Sequence, residues 1–103
     1  MGTCPPCQGA ARVDLFPLGQ TVMTPGISEL MRNPQFAHCA VEAIRRHHAG
    51  DWGDVDAEDK RSNDIAVMRG ERLLSAYTCD RTKIWIITEA DRRATTLLLP
   101  NEY

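Results

Sequence analysis

Alternation of apolar and polar residues dominates the last third of the chain. Between residues 72 and 78 the two sides of an extended backbone carry different sets, with Leu74, Ala76 and Thr78 on one and Leu73, Ser75 and Tyr77 on the other. A period of two predicts a strand, and similar runs predict strands over residues 83–88 and 95–99. Short turns between them indicate an antiparallel meander. The run IWII leaves little polar surface on either face, so we expect the middle strand, with Trp85 in it, to be central and buried.

The first two thirds show helical spacing instead. A short strand over residues 20–23 precedes a helix that starts at Pro25, with Thr24 as its cap, and ends near residue 32. Asn33 and Pro34 repeat that start signal for a second helix, which Gly50 ends. Its apolar face is predicted from residues at helical spacing: Phe36, Ala40, Ala43, Ile44 and His47.

A third helix is predicted over residues 57–69, with Asp56 as its cap and Gly70 at its end. Its expected buried face is thin and consists of Ile65, Met68 and Ala57. The order of elements predicts an α+β fold: a short N-terminal strand, two to three helices, then a three-stranded antiparallel meander packed against them. Residues 1–14 are expected to form a flexible tail, and residues 15–103 a single domain.

Composition places the chain among ordinary globular domains. Apolar residues make up 43% and charged residues 25%, and 12 basic against 14 acidic residues give a formal charge of -2. This balance supplies no global attraction to nucleic acid or anionic membranes. No apolar run approaches the roughly 20 residues that cross a bilayer, and the first residues lack the apolar centre of a secretory signal. We therefore expect a cytoplasmic protein with no membrane partner, whose four cysteines are free thiols.

Three blocks carry a resemblance to a known family: FPLGQTVMTPG, GDWGDVDAEDKRSND and RLLSAYTCDRTKIWIITEADRRATTLLLPNEY. They are similar to the small plasmid-related proteins of mobile elements, some of which are labelled type I restriction endonuclease subunit M. The resemblance covers residues 15–103 and implies a mobile-element origin, with no catalytic residue to carry over. The chain departs from the family in its first fourteen residues and in TCDRT, where similar proteins have an Asp-Gly turn. The label subunit M denotes a DNA methyltransferase. The sequence does not support it, because neither a glycine-rich methyl-donor loop nor an Asn-Pro-Pro-Tyr-like motif is present.

Metal and redox chemistry have few candidates. Cys4 and Cys7 have the spacing of half a zinc site or of a redox pair, but no second half is recognisable and no strand or helix start accompanies them. His47 and His48 suit the carboxyl end of a helix as cations, and adjacent helical positions point too far apart to chelate one ion. The acids of residues 51–59 lack the spacing of a calcium loop. We predict no metal and no cofactor.

A candidate binding surface remains. Asn63 and Asp64 precede the apolar part of the third helix, where a carboxylate that turns inward needs a donor such as the Trp52 indole. If the hairpin folds toward that loop, the surface comprises Trp52, Asp54, Asn63, Asp64, Trp85, Glu89, Asp91 and Arg92. A structural interpretation competes: a polar clamp between loop and helix, and a solvated hairpin turn at residues 89–93 with Glu89, Asp91 and Arg92 exposed.

The leading functional hypothesis is a protein-interaction module of a mobile element, with counter-defence against a restriction or CRISPR effector as its sharper form. Two alternatives stay open. One is a small ligand-binding or hydrolytic domain that uses Asp64, Glu89 and Asp91. The other is an accessory protein of nucleic acid, for which Arg45, Arg46, His47 and His48 offer a small basic patch. No nucleophile can be paired with a base, which favours a protein without enzymatic activity.

Overall fold

A computed structural model describes residues 14–103. The elements along the chain are β1 (Gln20–Met23), α1 (Pro25–Leu30), α2 (Pro34–His48), α3 (Ala57–Arg69), β2 (Leu73–Cys79), β3 (Thr82–Thr88), β4 (Ala94–Leu98) and a short 3-10 helix (Pro100–Glu102). The fold is α+β, as predicted. Residues 1–13 of the expected tail, with the Cys4/Cys7 pair, lie outside the described residues.

The sheet is mixed and four-stranded, which corrects the predicted three-stranded meander. Its strand order is β1-β4-β3-β2, with β2, β3 and β4 antiparallel to one another and β1 parallel to β4. The meander is therefore present as part of a larger sheet, and β3 lies between two neighbours as the IWII run indicates. The addition of β1 depends on the long connection through three helices, which no local pattern encodes.

The main core lies between one face of the sheet and helices α1 and α2. Ile27 of α1 and Phe36, Ala40 and Ala43 of α2 pack against strand residues, which are Tyr77, Cys79, Ile84, Ile86 and Leu97. The predicted apolar face of α2 is confirmed, with Ile44 partly buried. At its start the Asn33 side chain accepts hydrogen bonds from the Gln35 and Phe36 amides.

Helix α3 has its predicted ends but not its predicted face. The Asp56 carboxylate caps the Asp59 amide, and Gly70 ends the helix in the left-handed region. The buried residues are Asn63 and Ala66, whereas Ile65 and Met68 point outward and Ala57 is exposed. The prediction failed because α3 sits at the edge of the sheet. At that edge the Leu74 backbone needs hydrogen-bond partners, which the Asn63 amide supplies and an apolar side chain cannot.

A disulfide joins Cys39 of α2 to Cys79 of β2, with Cα atoms 5.7 Å apart. The expectation of free thiols was wrong for this pair. It rested on the compartment inferred for the protein, and residues 40 positions apart gave no local indication that the two side chains meet.

The carboxyl end closes the fold at α1. The side chain of Thr24 makes no cap bond within its own helix; instead, its hydroxyl donates to the Glu102 carboxylate, which also accepts from the Gly26 and Leu99 amides. These hydrogen bonds lower the pKa of Glu102, that from Thr24 most. A residue at the far end of the chain therefore supplies the cap that the sequence assigns to Thr24.

Candidate functional site

The loop between α2 and α3 is bound tightly to the edge strand β2. Gly53 has a φ of 76° and forms a parallel bridge with Ala76, so close that an added Cβ would lie 2.0 Å from the Ala76 carbonyl oxygen. The Ala76 amide donates to Trp52 O at 3.3 Å, and the Asp54 amide donates to Ala76 O at 2.7 Å. This approach requires glycine at position 53.

Asp51 anchors the same loop to α2. Its carboxylate accepts from Arg46 Nε at 2.8 Å, and this hydrogen bond is the main cause of the lowered pKa of Asp51. The Tyr77 hydroxyl donates to the Asp51 carbonyl at 2.6 Å, and the Arg46 guanidinium lies over the Tyr77 ring. Burial raises the pKa of Tyr77, which keeps its hydroxyl a donor.

The predicted site residues Trp52, Asp54, Asn63 and Asp64 also hold this loop in place. The Trp52 indole, only 2% exposed, donates to the Asp64 carboxylate at 2.9 Å. Asn63 donates to Leu74 O at 2.7 Å and accepts from the Leu74 amide at 3.3 Å, as a neighbouring strand would. The Thr78 hydroxyl donates to Asp54 at 3.0 Å. Each of the four residues holds the loop or the helix against β2.

Trp85 and Glu89 belong to a different surface. Trp85 is half-buried on the sheet face that turns away from α1 and α2, so the expectation of a core tryptophan was wrong. Its ring meets that of Tyr103 edge-on, 5.5 Å between centroids. Arg72 donates to the Tyr103 hydroxyl at 3.0 Å and lies 3.8 Å from the Glu89 carboxylate. An aromatic pair and an ion pair thus line one end of that face.

The hairpin tip is only partly the solvated turn that was expected. Glu89 and Asp91 are exposed, and Asp91 accepts from the Arg93 amide. Arg92 turns inward. Its guanidinium donates to the carbonyls of Glu71 at 2.7 Å, Glu89 at 3.0 Å and Ala66 at 3.1 Å, and lies over the ring of Phe16. Arg92 therefore ties the tip to the carboxyl end of α3.

A chain of buried hydrogen bonds runs through His47. Its Nδ1 lies 2.5 Å from Ser75 Oγ, and its Nε2 lies 2.8 Å from Thr88 Oγ1. Thr88 Oγ1 in turn lies 2.8 Å from Thr95 Oγ1, and Thr95 donates to Leu18 O at 2.7 Å. All four side chains are fully buried. This hydrogen-bond network joins α2 to β2, β3 and β4.

The donors of this network can be assigned in sequence. Because the single Thr95 proton goes to Leu18 O, Thr95 accepts from Thr88, and Thr88 accepts from His47 Nε2. His47 is then the neutral tautomer with its proton on Nε2, and Nδ1 accepts from Ser75. Burial, with the nearby charges of His48 and Arg92, lowers the pKa of His47 to about 3. The expected cationic role at the helix end was wrong for His47.

The three acids of the hydrolytic hypothesis have separate partners. Asp64, on α3, accepts from the Trp52 indole. Glu89, just after β3, lies beside Arg72, and Asp91 accepts from the Arg93 amide within the hairpin turn. All three side chains are exposed. Residues 14–103 contain no pocket, and no group of three or more metal-ligating side chains is assembled within them.

The two edges of the sheet differ. The β2 edge is covered by the loop and by Asn63. The Gln20 amide donates to Arg93 O, just before β4, and the Thr24 amide, just after β1, donates to Leu97 O of β4. Because backbone groups alternate along a strand, those of Thr21 and Met23 point away from β4. All four β1 residues are exposed, and within the described part of the chain β1 has no partner on its outer side.

Comparison of the chain with protein-family models, with curated proteins and with solved structures gives no match in any of the three. In the range that the structure covers, no helix has the length and apolar character to cross a membrane.

Several features that point outward were not predicted from the sequence. They are the open edge at β1, the Tyr103–Arg72 contact and the outward face of α3. An indication was available for α3, because Asn63 and Ala66 share the helical spacing of three that marks a face.

Proposed function

We propose that this protein is an interaction module that binds an extended segment of a partner protein along β1. The contrast between the two sheet edges carries the proposal. Four hydrogen bonds to the backbone of Leu74 and Ala76 cover the β2 edge, whereas β1 offers backbone groups of Thr21 and Met23 that have no partner among residues 14–103. A free edge is a template for another strand, and many domains bind peptides in this way.

The side chains of β1 suit this role. Val22 is 37% exposed and Met23 42%, and the strand carries no charge. Exposed apolar side chains next to a free backbone edge give a partner strand both hydrogen bonds and apolar contact. The strand has only four residues, and Pro25 lies two positions after its end. Both features limit the length of pairing and reduce the risk of open-ended aggregation.

The test compares two proline variants of β1. Thr21→Pro removes an outward amide and leaves the ladder to β4 intact, since proline is tolerated at an outward-facing edge position. Val22→Pro removes an amide that faces β4, and it serves as the control for disruption of the pairing between β1 and β4. Partners captured from the host with the wild-type protein are titrated against both variants by calorimetry.

We expect Thr21→Pro to weaken binding at least about tenfold with an unchanged melting temperature. Equal affinity for Thr21→Pro and the wild type would place the binding site elsewhere. If no protein is captured while a small molecule raises the melting temperature, the ligand-binding alternative replaces the proposal. For the counter-defence form, expression of the protein should raise the plating efficiency of a restricted phage, and Thr21→Pro should cancel that gain.

A further inference from the structure

Helix α3 carries its two largest apolar side chains on the side opposite the core. Asn63 and Ala66 are buried, whereas Ile65 is 43% exposed and Met68 is 87% exposed. Successive residues on a helix are 100° apart, so Arg61, Ile65, Met68 and Arg69 share one face, roughly opposite Asn63 and Ala66. These four residues are called the Ile65–Met68 surface below.

The fold does not need these side chains. Polar contacts hold α3 in place: Asn63 to the Leu74 backbone, Asp64 to Trp52, and Arg92 to the Ala66 carbonyl. The apolar contact on the inner side consists of Ala66 and Val67. A single exposed apolar residue is common on any protein, but an adjacent pair at the outermost line of a helix forms a patch that a partner can cover. Methionine adapts its shape to different partners.

Charge indicates what kind of partner fits. Arg61 and Arg69 are exposed on either side of the apolar pair, and neither has an ion-pair partner among residues 14–103. The nearest acids on this side of the helix, Glu58 and Asp64, are each three positions from Arg61, but neither forms an ion pair with it, and the Asp64 carboxylate accepts from Trp52 instead. Apolar side chains between two unpaired guanidiniums complement a segment that presents apolar side chains between carboxylates.

We propose that the Ile65–Met68 surface docks an acidic amphipathic segment of a partner protein. This surface is separate from β1, because α3 lies against β2 at the opposite edge of the sheet. It shares with the proposed function only the expectation of a protein partner.

A second copy of this chain fits less well. An antiparallel copy centred on Ile65 would place Arg61 opposite Arg69 of the partner, twice. One face of four residues also buries much less than the roughly 1,600 Å² of a standard interface. A short peptide segment does not need that area.

The experiment titrates two labelled probe peptides into the full chain. One is a helical peptide of about fifteen residues, built from Leu, Ala and Glu, with leucines in one stripe and glutamates beside it. The other has lysine in place of every glutamate. We expect saturable binding of the acidic probe below about 1 mM, and amide shift changes in the NMR spectrum confined to residues 61–69.

Two sets of variants decide the result. Ile65→Ser with Met68→Ser should weaken the acidic probe roughly tenfold, whereas Met23→Ser, a similarly exposed apolar residue on β1, should leave its binding unchanged. Arg61→Glu with Arg69→Glu should reverse the preference in favour of the lysine probe. Thr21→Pro should bind the acidic probe normally, so that failure of this proposal and failure of strand addition at β1 are distinguishable.

The proposal is overturned by any of five results. No saturable binding of the acidic probe, or equal binding of both probes, excludes acidic recognition. Binding that survives the two serine substitutions excludes this surface. Met68-dependent binding to phosphatidylserine vesicles without binding of the peptide assigns the surface to a membrane. A Met68-dependent dimer in sedimentation assigns it to a second copy.

Discussion

His47 is a buried base whose two ring nitrogens are both occupied. Nε2 donates to Thr88 and Nδ1 accepts from Ser75, so a second proton on the ring would force the Ser75 hydroxyl to change from donor to acceptor. The charge would also be buried near Arg92 and His48. Phe16 and Trp52 meet the ring edge-on and exclude water. The native state therefore requires neutral imidazole.

We predict that the stability of the protein falls in mild acid because of this residue. The pKa of His47 drops from 6.5 to about 3 on folding, so between these values the unfolded chain binds one more proton than the folded chain. The stabilisation is complete above pH 6.5. It is lost as the pH falls toward 3, by roughly 1.4 kcal/mol per pH unit. Urea melts at pH 7, 6 and 5 measure it.

His47→Gln is the test variant, because it keeps polar groups in the network but does not titrate. Its stability at pH 7 should be lower and its pH dependence flatter. His38→Gln, at an exposed position of the same helix, should retain the wild-type slope. An unchanged slope in His47→Gln would show that another group causes the acid sensitivity.

At the scale of elements, Arg92 joins the β3–β4 hairpin to helix α3. The last carbonyls of a helix lack partners within the helix, and a cation is favoured there. Ala66 O already accepts from the Gly70 and Glu71 amides, and the Arg92 guanidinium adds a charged donor there and also binds Glu71 O just beyond the helix. Arg92 adopts a φ of 59°, which is uncommon for a residue with a side chain. The contacts of the side chain offset that conformation.

We predict that Arg92→Ala lowers the free energy of unfolding by about 1 to 3 kcal/mol, through the loss of charge-assisted hydrogen bonds to backbone carbonyls. Arg93→Ala is the matched control, since it removes the same charge from an exposed neighbour. It should change stability by no more than about 0.5 kcal/mol, as should Asp91→Ala. Urea melts compare all three. Equal small effects would mean that the whole tip is a plain solvated turn.

For the whole molecule, the Cys39–Cys79 disulfide constrains the unfolded chain between α2 and β2. The two residues are separated by 40 positions, so the bond closes a long loop. This bond does not fit the expected cytoplasmic location, because the cytosol keeps most thiols reduced. The oxidation state of this pair therefore bears directly on where the protein works.

We predict that reduction lowers the free energy of unfolding by about 3 to 4 kcal/mol, the loop-entropy value for a loop of this length. Urea melts with and without reductant measure it. The double variant Cys39→Ala, Cys79→Ala should be insensitive to reductant, whereas Cys4→Ala, Cys7→Ala should respond like the wild type. Four reactive thiols in the native, unreduced protein would show instead that the cysteines are free.

Local sequence signals predict the α-helices and strands, with ends within two residues of those in the structure. Asn33 and Asp56 cap helices, Gly70 ends one, and alternation in residues 73–79 makes a strand, because each of these effects acts within a few residues along the chain. Proximity along the chain also made the Trp52 indole one candidate donor to Asp64, 12 residues away, and the structure shows that hydrogen bond.

Which surfaces face inward and which distant residues meet depends on long-range packing. Thr95 reaches Leu18 across 77 positions and His47 reaches Thr88 across 41, and no periodicity encodes such pairs. The orientation of α3 depended on the backbone of β2, which needed Asn63 more than it needed Ile65 or Met68. The hydrophobic effect favours burial of any apolar side chain, but an unsatisfied strand backbone costs more, and that balance exists only once the sheet is assembled.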